Sequence, residues 1–297
     1  SEAHLKFQST SLAKMFSYCL FCLFLFVFVS ITNASDDAHT TRVLSLQPAV
    51  TETLCQLGRE DYLVGISDYC QTTASIPRVG GLYNPNLERI IRCKPDIVFL
   101  HPSQTELILQ LKELKIKSVA VQTATFSDVM QMIRECMVNV PASPKGKSLY
   151  EKLLSLEKLT KTQKFGASSD EAPKVLFVVA NDQHSYPVFV ATPRSYHGAL
   201  LKLAGAANAL KDDGELSSIP LSVEQIIRLN PDAIIDISFF DDDKAHACYH
   251  SLSTVNAVKY GQVYGMKSYG METPGFSAID AVSSISAVLN HKEEEHK

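Results

Sequence analysis

The feature that most constrains this chain is a motif that it contains twice. The stretch "NLERIIRCKPDIV" begins at Asn86 and "SVEQIIRLNPDAI" begins at Ser222; they align without a gap and share Glu, Ile-Ile-Arg and Pro-Asp at matching places. Asn or Ser before a helical run predicts an N-cap, and proline ends the helix because it disfavours helical geometry in the residue before it. Each copy therefore predicts a short helix, a proline stop and a buried strand that begins at the Asp.

The isoleucines of the motif indicate which side of each helix faces the core. Ile90 and Ile91 in the first copy match Ile226 and Ile227 in the second. We expect all four to lie on the buried face of an amphipathic helix.

Short apolar runs alternate with helical runs from Thr41 onward, which predicts an α/β fold with mainly parallel sheets. Between the two copies, residues 144–168 hold a charged helical stretch followed by a loop rich in Gly and Ser. We predict an N-terminal lobe over residues 39–143, a bridging helix and loop over 144–168, and a C-terminal lobe with a short polar tail over 169–297. The arrangement of two lobes around one long helix predicts a ligand cleft between them.

The first 38 residues do not fit this alternation. "FSYCLFCLFLFVFVSI" is a nearly unbroken apolar run that follows Lys6 and Lys14, and it is shorter than the ~20 residues that a membrane-spanning helix needs. Small residues that suit signal peptidase lead up to Ala34 and Ala38. We predict a signal peptide and flanking segment over residues 1–38, and hence secretion into the periplasm; an uncleaved signal that tethers the chain to the membrane is the alternative.

Candidate ligand-binding residues follow the predicted strands, because ligands of open parallel sheets bind beyond the carboxyl ends of the strands. Aromatic rings and imidazoles at these places suit a flat or bulky apolar ligand, and packing at the strand ends is the alternative role for each. The rule selects Tyr69, His101, Phe239 and Tyr269, together with Tyr83 in the loop that leads into the first copy of the motif.

Glu88 and Glu224 occupy the second helical position of the two copies. A carboxylate there stabilises its helix by about 0.3–1 kcal/mol through the positive end of the helix dipole. Alternatively, one exposed carboxylate on each lobe suits a partner with two cationic pockets.

Signatures of catalysis and of metal binding are weak. GxSxG, P-loop and GxGxxG motifs are absent from the sequence, and we predict no catalytic residue and no cofactor. His246 and His250 are spaced to share a metal on one helical face, but a solvated surface segment explains "DDDKAHACYH" better, and we predict no metal site. The net charge is -4 and no block of Lys or Arg occurs, so nucleic acid is not expected as a partner.

Several phrases together resemble a known family: "RVLSLQPAVTETLCQLG", "YLVGISDYC", "VGGLYNPNLERIIRCKPDIVFL", "HGALLKLAG" and "LSVEQIIRLNPDAIID". They are similar to the substrate-binding proteins of ABC importers for cobalamin, iron-siderophores and haem, and most similar to the cobalamin-binding branch through "SDYC" and "NPNLERI". The resemblance covers most of residues 42–290 and implies two Rossmann-like lobes bridged by a single long helix.

The resemblance also implies roles for particular residues. Glu88 and Glu224 match the glutamates that dock on arginines of the membrane permease. Tyr69, Tyr83 and His101 match positions that line the cleft against the corrin ring. The chain departs from the family pattern in having no Trp, and His101 replaces an aromatic residue; a His there also suits contact with a metal at the centre of the ligand.

We therefore predict a monomeric, non-enzymatic binding protein that captures cobalamin or a related corrinoid and delivers it to the permease of an ABC importer. A haem-binding or ferric-siderophore-binding protein of the same family is the first alternative. A secreted α/β enzyme that acts in the cleft between the lobes is the second.

Overall fold

The computed structural model of the protein describes residues 40–162, 172–181, 186–211, 214–267 and 269–290. The predicted signal segment and residues 291–297 of the predicted polar tail lie outside the described residues. A compact unit begins at Thr41. Within the described ranges, no helix combines the length and the apolar character that crossing a membrane requires.

Strands in the described residues form two separate sheets. The first has the order β2-β1-β3-β4 and is parallel throughout. The second has the order β10-β9-β5-β6-β8, with β7 also paired to β5. The strands are β1 (Val43–Ser45), β2 (Leu63–Ile66), β3 (Ile97–Leu100), β4 (Lys117–Ala120), β5 (Lys174–Ala180), β6 (Val188–Ala191), β7 (Ala207–Asn208), β8 (Ser218–Leu221), β9 (Ala233–Asp236) and β10 (Val263–Gly265).

Helices follow most strands, as the alternation predicts. The α-helices of the described residues are α1 (Pro48–Gln56), α2 (Leu87–Arg92), α3 (Thr105–Glu113), α4 (Phe126–Asn139), α5 (Pro144–Thr162), α6 (Tyr196–Leu203), α7 (Val223–Leu229), α8 (Asp242–Tyr249), α9 (Asn256–Lys259), α10 (Tyr269–Glu272) and α11 (Ala278–Asn290). The predicted α/β fold class with two sheets is confirmed.

The second sheet differs from the expectation of a mainly parallel sheet, because it contains antiparallel strands on one side of β5. Strands β6 and β8 run antiparallel to their neighbours and extend the sheet beyond β5. Sequence patterns did not predict either strand, since both are short and β8 contains Pro220. Proline has no backbone N–H to donate to a neighbouring strand. It is tolerated in β8 because β8 is an edge strand, which has a neighbouring strand on one side only.

The two copies of the repeated motif build the central strand pair of each sheet in the same way. Asp96 precedes β3; its Oδ2 accepts from the backbone N–H of Arg42 (2.7 Å), and its own N–H donates to the Arg42 carbonyl (2.8 Å). Asp232 precedes β9 and makes the equivalent pair with Lys174, at 3.0 and 2.8 Å. Each aspartate therefore sets the start of its strand against the start of β1 or β5.

The turn from helix to strand also has the same backbone in both copies. Lys94 and Asn230, which precede Pro95 and Pro231, have φ angles of 46° and 44°. A left-handed residue redirects the chain after the last helical turn, and the following proline prevents the helix from continuing.

The caps of the two motif helices match the prediction as well. The side chain of Asn86 accepts from the backbone N–H of Arg89 (2.9 Å). The hydroxyl of Ser222 accepts from the Gln225 N–H, and Gln225 Oε1 accepts from the Ser222 N–H (2.8 Å), which completes a capping box.

Only one isoleucine of each pair is buried, which corrects the expectation for the motif helices. Ile90 and Ile226 are fully buried, whereas Ile91 is 42% and Ile227 is 43% exposed. Consecutive helical residues point about 100° apart, so a narrow buried stripe accommodates the first and leaves the second at the surface.

Both faces of each sheet are covered, as expected for parallel strands in an α/β fold. Phe99 in β3 and Phe177 in β5 face one continuous core cluster that contains residues from both halves of the chain. Their neighbours Val98 and Leu176 point to the opposite faces and pack in two smaller clusters, one for each sheet.

The predicted bridging helix is continuous over residues 144–162. This helix, α5, packs against α4 of the first half and against α6 and α11 of the second. Leu153 is fully buried, and Glu157 is 6% exposed. Burial opposes ionisation of Glu157, but hydrogen bonds from Lys161 (2.8 Å) and Arg134 (2.7 Å) lower the pKa of its carboxyl below the usual value. The helix is therefore tied to α4 by an ion pair and to both halves by apolar contacts.

A buried carboxylate lies where α1 meets the segment before α11. Glu52 is 7% exposed, and a Cβ placed on Gly275 would lie 3.9 Å from its Oε2. Among the residues that the structure describes, this Oε2 finds no hydrogen-bond partner. Burial raises the pKa of Glu52 to about 7, and a hydrogen bond with Ser277 offsets only part of that shift. The joint between the two halves therefore contains an acid that stays protonated close to neutral pH.

We expect the contribution of Glu52 to the free energy of unfolding to fall as pH rises from about 4.5 to about 7. The unfolded chain releases the proton of Glu52 near pH 4.5, whereas the folded chain keeps it until about pH 7, so the folded state binds more protons in this window. The total loss is roughly 3 kcal/mol, from about 1.4 kcal/mol per pH unit. Urea unfolding of the wild type and of Glu52→Gln at pH 5 and pH 8 measures it as a difference.

The variant Glu52→Gln removes the titrating group and should be more stable than the wild type at pH 8 by roughly 2–3 kcal/mol, with little difference at pH 5. Glu106→Gln, at an exposed position of α3, is the control and should leave the pH dependence unchanged. Equal pH dependence of wild type and Glu52→Gln would contradict the assignment.

Candidate functional site

Three loops at the carboxyl ends of the first sheet are joined into one surface. The backbone N–H of Asp68, after β2, donates to the carbonyl of Gly80 (2.9 Å). Gln104 Nε2 donates to the Leu82 carbonyl (2.6 Å), and Gln104 Oε1 accepts from the N–H of His101 (2.9 Å), which follows β3. These bonds connect the loops that carry the predicted residues Tyr69, Tyr83 and His101.

The two tyrosines of this surface are unusually exposed for aromatic side chains. Tyr69 is 66% and Tyr83 is 85% exposed. Tyr69 lies over the next loop, since a Cβ placed on Gly81 would be 3.6 Å from its Cε2. Two exposed rings on adjacent loops are available to pack against a ligand.

The ring of His101 is held by a residue two positions later. Its Nδ1 lies 2.7 Å from the hydroxyl of Ser103 and accepts from the Ser103 backbone N–H at 3.2 Å. The side chain lines a cavity and is half-buried.

A cavity of about 310 Å³ lies between the two halves. Its walls come from the carboxyl ends of β3, β4 and β5, from the start of α6 and from the start of β8. The lining residues are His101, Gln122, Thr123, Ala124, Val179, Ser195, Tyr196, His197, Ser217 and Ser218. None of these is Asp, Glu, Lys or Arg, so the described residues of the lining offer hydroxyl, amide and imidazole groups rather than formal charges.

Tyr196 and His197 form the apolar side of this cavity, and sequence analysis did not select them. Tyr196 is stacked on Phe126, with ring centroids 6.1 Å apart, and His197 is stacked on Phe177 at 4.9 Å. Burial lowers the pKa of His197, and its Nε2–H donates to the carbonyl of Met271 (2.8 Å). The pattern "SYHGALLKLAG" predicts the helix, but no local signal indicates that its first turn faces the other half.

The remaining two predicted ligand-binding residues are Phe239 and Tyr269. Phe239, after β9, is 5% exposed and packs in the core cluster of the second sheet, whereas its neighbour Phe240 is 74% exposed. This corrects the expectation at that strand end, because the chain direction after β9 turns the first phenylalanine inward. The side chain of Tyr269 lies outside the described residues.

Glu88 and Glu224 lie at the surface, each in the first turn of its motif helix. Oε2 of Glu224 accepts from the hydroxyl of Ser222 (2.7 Å), and this hydrogen bond lowers the pKa of the Glu224 carboxyl. Both carboxylates are accessible to a partner. Because each lies in the first turn of its helix, each can also stabilise that helix through the helix dipole.

The histidines of "DDDKAHACYH" lie on a capped helix and the turn that follows it. Asp241 Oδ1 accepts from the Lys244 N–H (2.9 Å), and His250 Nδ1 lies 2.9 Å from the carbonyl of Ala247. In the part of the chain that the structure describes, no group of three or more His, Cys, Asp or Glu side chains is placed to hold a metal ion.

We expect Gln104→Ala to lower the free energy of unfolding by about 1–3 kcal/mol, because it leaves the N–H of His101 and the carbonyl of Leu82 without their partner. Urea unfolding measures the change. Gln110→Ala on the same helix is the matched control, with an expected change within 0.5 kcal/mol. Similar losses in both variants would show that Gln104 does not hold the loops together.

Comparison with known proteins identifies the family. A family model described as periplasmic binding protein matches residues 43–269. The chain is 29% identical over 272 residues to the uncharacterized ABC transporter substrate-binding lipoprotein YvrC of Bacillus subtilis, covering 86% of this chain and 84% of that protein. It is 24% identical over 279 residues to the vitamin B12-binding protein of Vibrio cholerae, covering 90% of this chain and 95% of that protein.

A solved structure shows the same fold at low sequence identity. The periplasmic haem-binding protein HutB of Vibrio cholerae superposes with a TM-score of 0.70 at 18% identity, over 84% of this chain and 99% of that chain. The resemblance noted in the sequence is confirmed, since the family model covers both halves of the chain. The chain belongs to the periplasmic binding protein family.

Proposed function

We propose that this protein is the extracytoplasmic substrate-binding protein of an ABC importer and that it captures cobalamin or a related corrinoid between its two halves. Family membership supports a binding role in transport rather than catalysis. The chemistry of the cavity supports the choice of ligand.

The observation that carries the choice is the absence of formal charge among the ten cavity-lining residues in the described part of the chain. The rim of a corrin ring carries neutral amide side chains, which exchange hydrogen bonds with hydroxyl, amide and imidazole groups. Haem carries propionate carboxylates, and many ferric siderophores are anionic, so both favour sites with Arg or Lys. The vitamin B12-binding relative in Vibrio cholerae is consistent with this choice.

Capture then depends on surfaces that exist before the ligand arrives. The exposed rings of Tyr69 and Tyr83 provide apolar faces on the loops connected to that of His101, and the cavity of about 310 Å³ encloses part of a ligand of this size. Helix α5 contacts helices of both halves and restricts closure to a small hinge movement, so little ordering entropy is lost on binding.

A haem-binding or siderophore-binding function is the first alternative. The observations that favour it are the two histidines in the cavity, His101 and His197, and the fold shared with HutB. Nε2 of His197 is engaged with the Met271 carbonyl, which leaves His101 as the stronger candidate for contact with an iron atom.

An enzyme acting in the cleft is the second alternative, and the serines of the cavity are its best candidates for a nucleophile. The hydroxyl of Ser195, however, donates to the Thr192 carbonyl (2.7 Å) and accepts from the Gly198 N–H (2.9 Å) as the cap of α6. A hydroxyl committed to a helix cap is poorly available for attack, so binding without turnover is the better account. We propose no catalytic residue and no cofactor.

Delivery of the ligand requires a membrane partner. We propose that Glu88 and Glu224, one exposed carboxylate on each half, dock on cationic pockets of the permease and orient the loaded monomer. Secretion into the periplasm, directed by residues 1–38, is part of the same proposal.

We expect the purified protein to bind hydroxocobalamin, seen as a cobalamin absorption band that stays with the protein on gel filtration. Tyr83→Ala should weaken binding roughly 3- to 10-fold, because an aromatic contact contributes about 0.5–1.5 kcal/mol. Tyr260→Ala is the control. Tyr260 is also exposed, at 57%, but it precedes β10 and so lies at the amino-terminal end of that strand, whereas the predicted ligand-binding residues lie at the carboxyl ends of strands. Binding of haemin or a ferric siderophore in preference to cobalamin would favour the first alternative.

We expect the double variant Glu88→Gln, Glu224→Gln to keep its ligand affinity and to bind the permease in nanodiscs at least roughly tenfold more weakly, since two charge-assisted contacts are lost. Glu106→Gln with Glu113→Gln removes two exposed carboxylates from α3 and serves as the charge-matched control. Loss of ligand affinity in the Glu88→Gln, Glu224→Gln variant would contradict a role for these glutamates in docking alone.

A further inference from the structure

The hydrogen bonds around His101 determine which ring nitrogen carries the proton. Nδ1 accepts from the backbone N–H of Ser103 at 3.2 Å, and an N–H group donates only. Nδ1 therefore presents its lone pair, and the proton of the neutral imidazole is on Nε2. The Ser103 hydroxyl, 2.7 Å from the same Nδ1, adopts the donor role that fits this tautomer.

The position of the ring is fixed as well as its tautomer. The N–H of His101 donates to Gln104 Oε1, and the carbonyl of His101 accepts from the Gln104 N–H at 3.0 Å. Gln104 in turn is anchored to Leu82 and is 9% exposed. No residue in the described ranges accepts a hydrogen bond from Nε2–H of His101. Because His101 lines the cavity, this N–H group is available to a ligand.

The second imidazole of the cavity has the complementary property. Nε2 of His197 lies 2.8 Å from a carbonyl oxygen, which accepts only, so this nitrogen carries the proton. Burial lowers the pKa of His197 and keeps the ring neutral, so its Nδ1 presents a lone pair. The two histidines therefore contribute one donor and one acceptor, on opposite halves of the protein.

We propose that His101 is a specificity-determining residue that donates a hydrogen bond from Nε2 to an oxygen at the periphery of the ligand, and does not coordinate the metal of the ligand. This inference rests on the proposed function for the identity of the ligand. A histidine that coordinates a metal through Nε2 needs the lone pair there, and usually donates Nδ1–H to a carboxylate or carbonyl. At His101 the neighbours of Nδ1 are the backbone N–H and the hydroxyl of Ser103, and the other tautomer would point an imidazole N–H at that backbone N–H.

The tautomer is testable without any ligand. In long-range ¹H–¹⁵N spectra of the protein, His101 should show a protonated Nε2 and an unprotonated Nδ1. His250, whose Nδ1 lies 2.9 Å from the Ala247 carbonyl, is the internal control and should show the opposite pattern. A protonated Nδ1 at His101 would overturn the inference whatever the ligand is.

Two forms of cobalamin test the contact itself. Aquacobalamin has an exchangeable axial water, whereas cyanide occupies that position in cyanocobalamin. If His101 donates to the corrin periphery, both forms should bind with affinities within about threefold, and His101→Leu should weaken both by roughly tenfold, as expected for one lost hydrogen bond. His101→Gln, which retains an N–H donor, should restore most of the affinity.

Coordination of cobalt by His101 predicts a different result. Aquacobalamin would bind far more tightly than cyanocobalamin, and its visible spectrum would shift in the wild type but not in His101→Gln; this outcome would overturn the inference. If neither corrinoid binds, the proposed ligand is wrong. The same variants are then titrated with haemin, where a Soret shift that does not depend on His101 supports the inference and one that does depend on it refutes it.

Discussion

In each half of this protein, one aspartate makes two hydrogen bonds with the residue at the start of the first strand, one through its carboxylate and one through its backbone N–H. Asp96 does so with Arg42, and Asp232 does so with Lys174. This contact places β3 beside β1 and β9 beside β5, in the centre of the two sheets. Because parallel strands set in register end at the same edge, the contact also determines where the loops that could hold a ligand come together.

Beyond this shared centre the two halves are built differently. The first sheet stays parallel to both edges, whereas the second continues through the antiparallel strands β6 and β8. The start of β8 and the first turn of α6 then form the wall that faces the loops of the first half across the cavity. Helix α5 and a continuous apolar core hold the two halves together.

Sequence patterns select the candidate-site residues that lie at strand ends. They do not select the residues that reach the cavity only because the two halves are in contact. Tyr69, Tyr83 and His101 follow or adjoin strands whose apolar runs are plain in the sequence, and the structure places them on three connected loops. Tyr196 and His197 begin an ordinary amphipathic helix, and only the position of that helix against the first half makes them part of the cavity. At the end of β9 the choice between Phe239 and Phe240 depended on the chain direction after the strand, which sequence patterns do not specify.

The sequence by itself determined the local units: capped helices, proline stops and short apolar strands in alternation. These follow from interactions within a few residues of one another, so they can be read from spacing and residue type. Only the tertiary structure decided which isoleucine of each pair is exposed, how the second sheet is extended, and which uncharged groups line the cavity. Those properties depend on residues that are far apart in the chain and meet only when the two halves pack against α5, so the residue pattern of any single segment does not contain them.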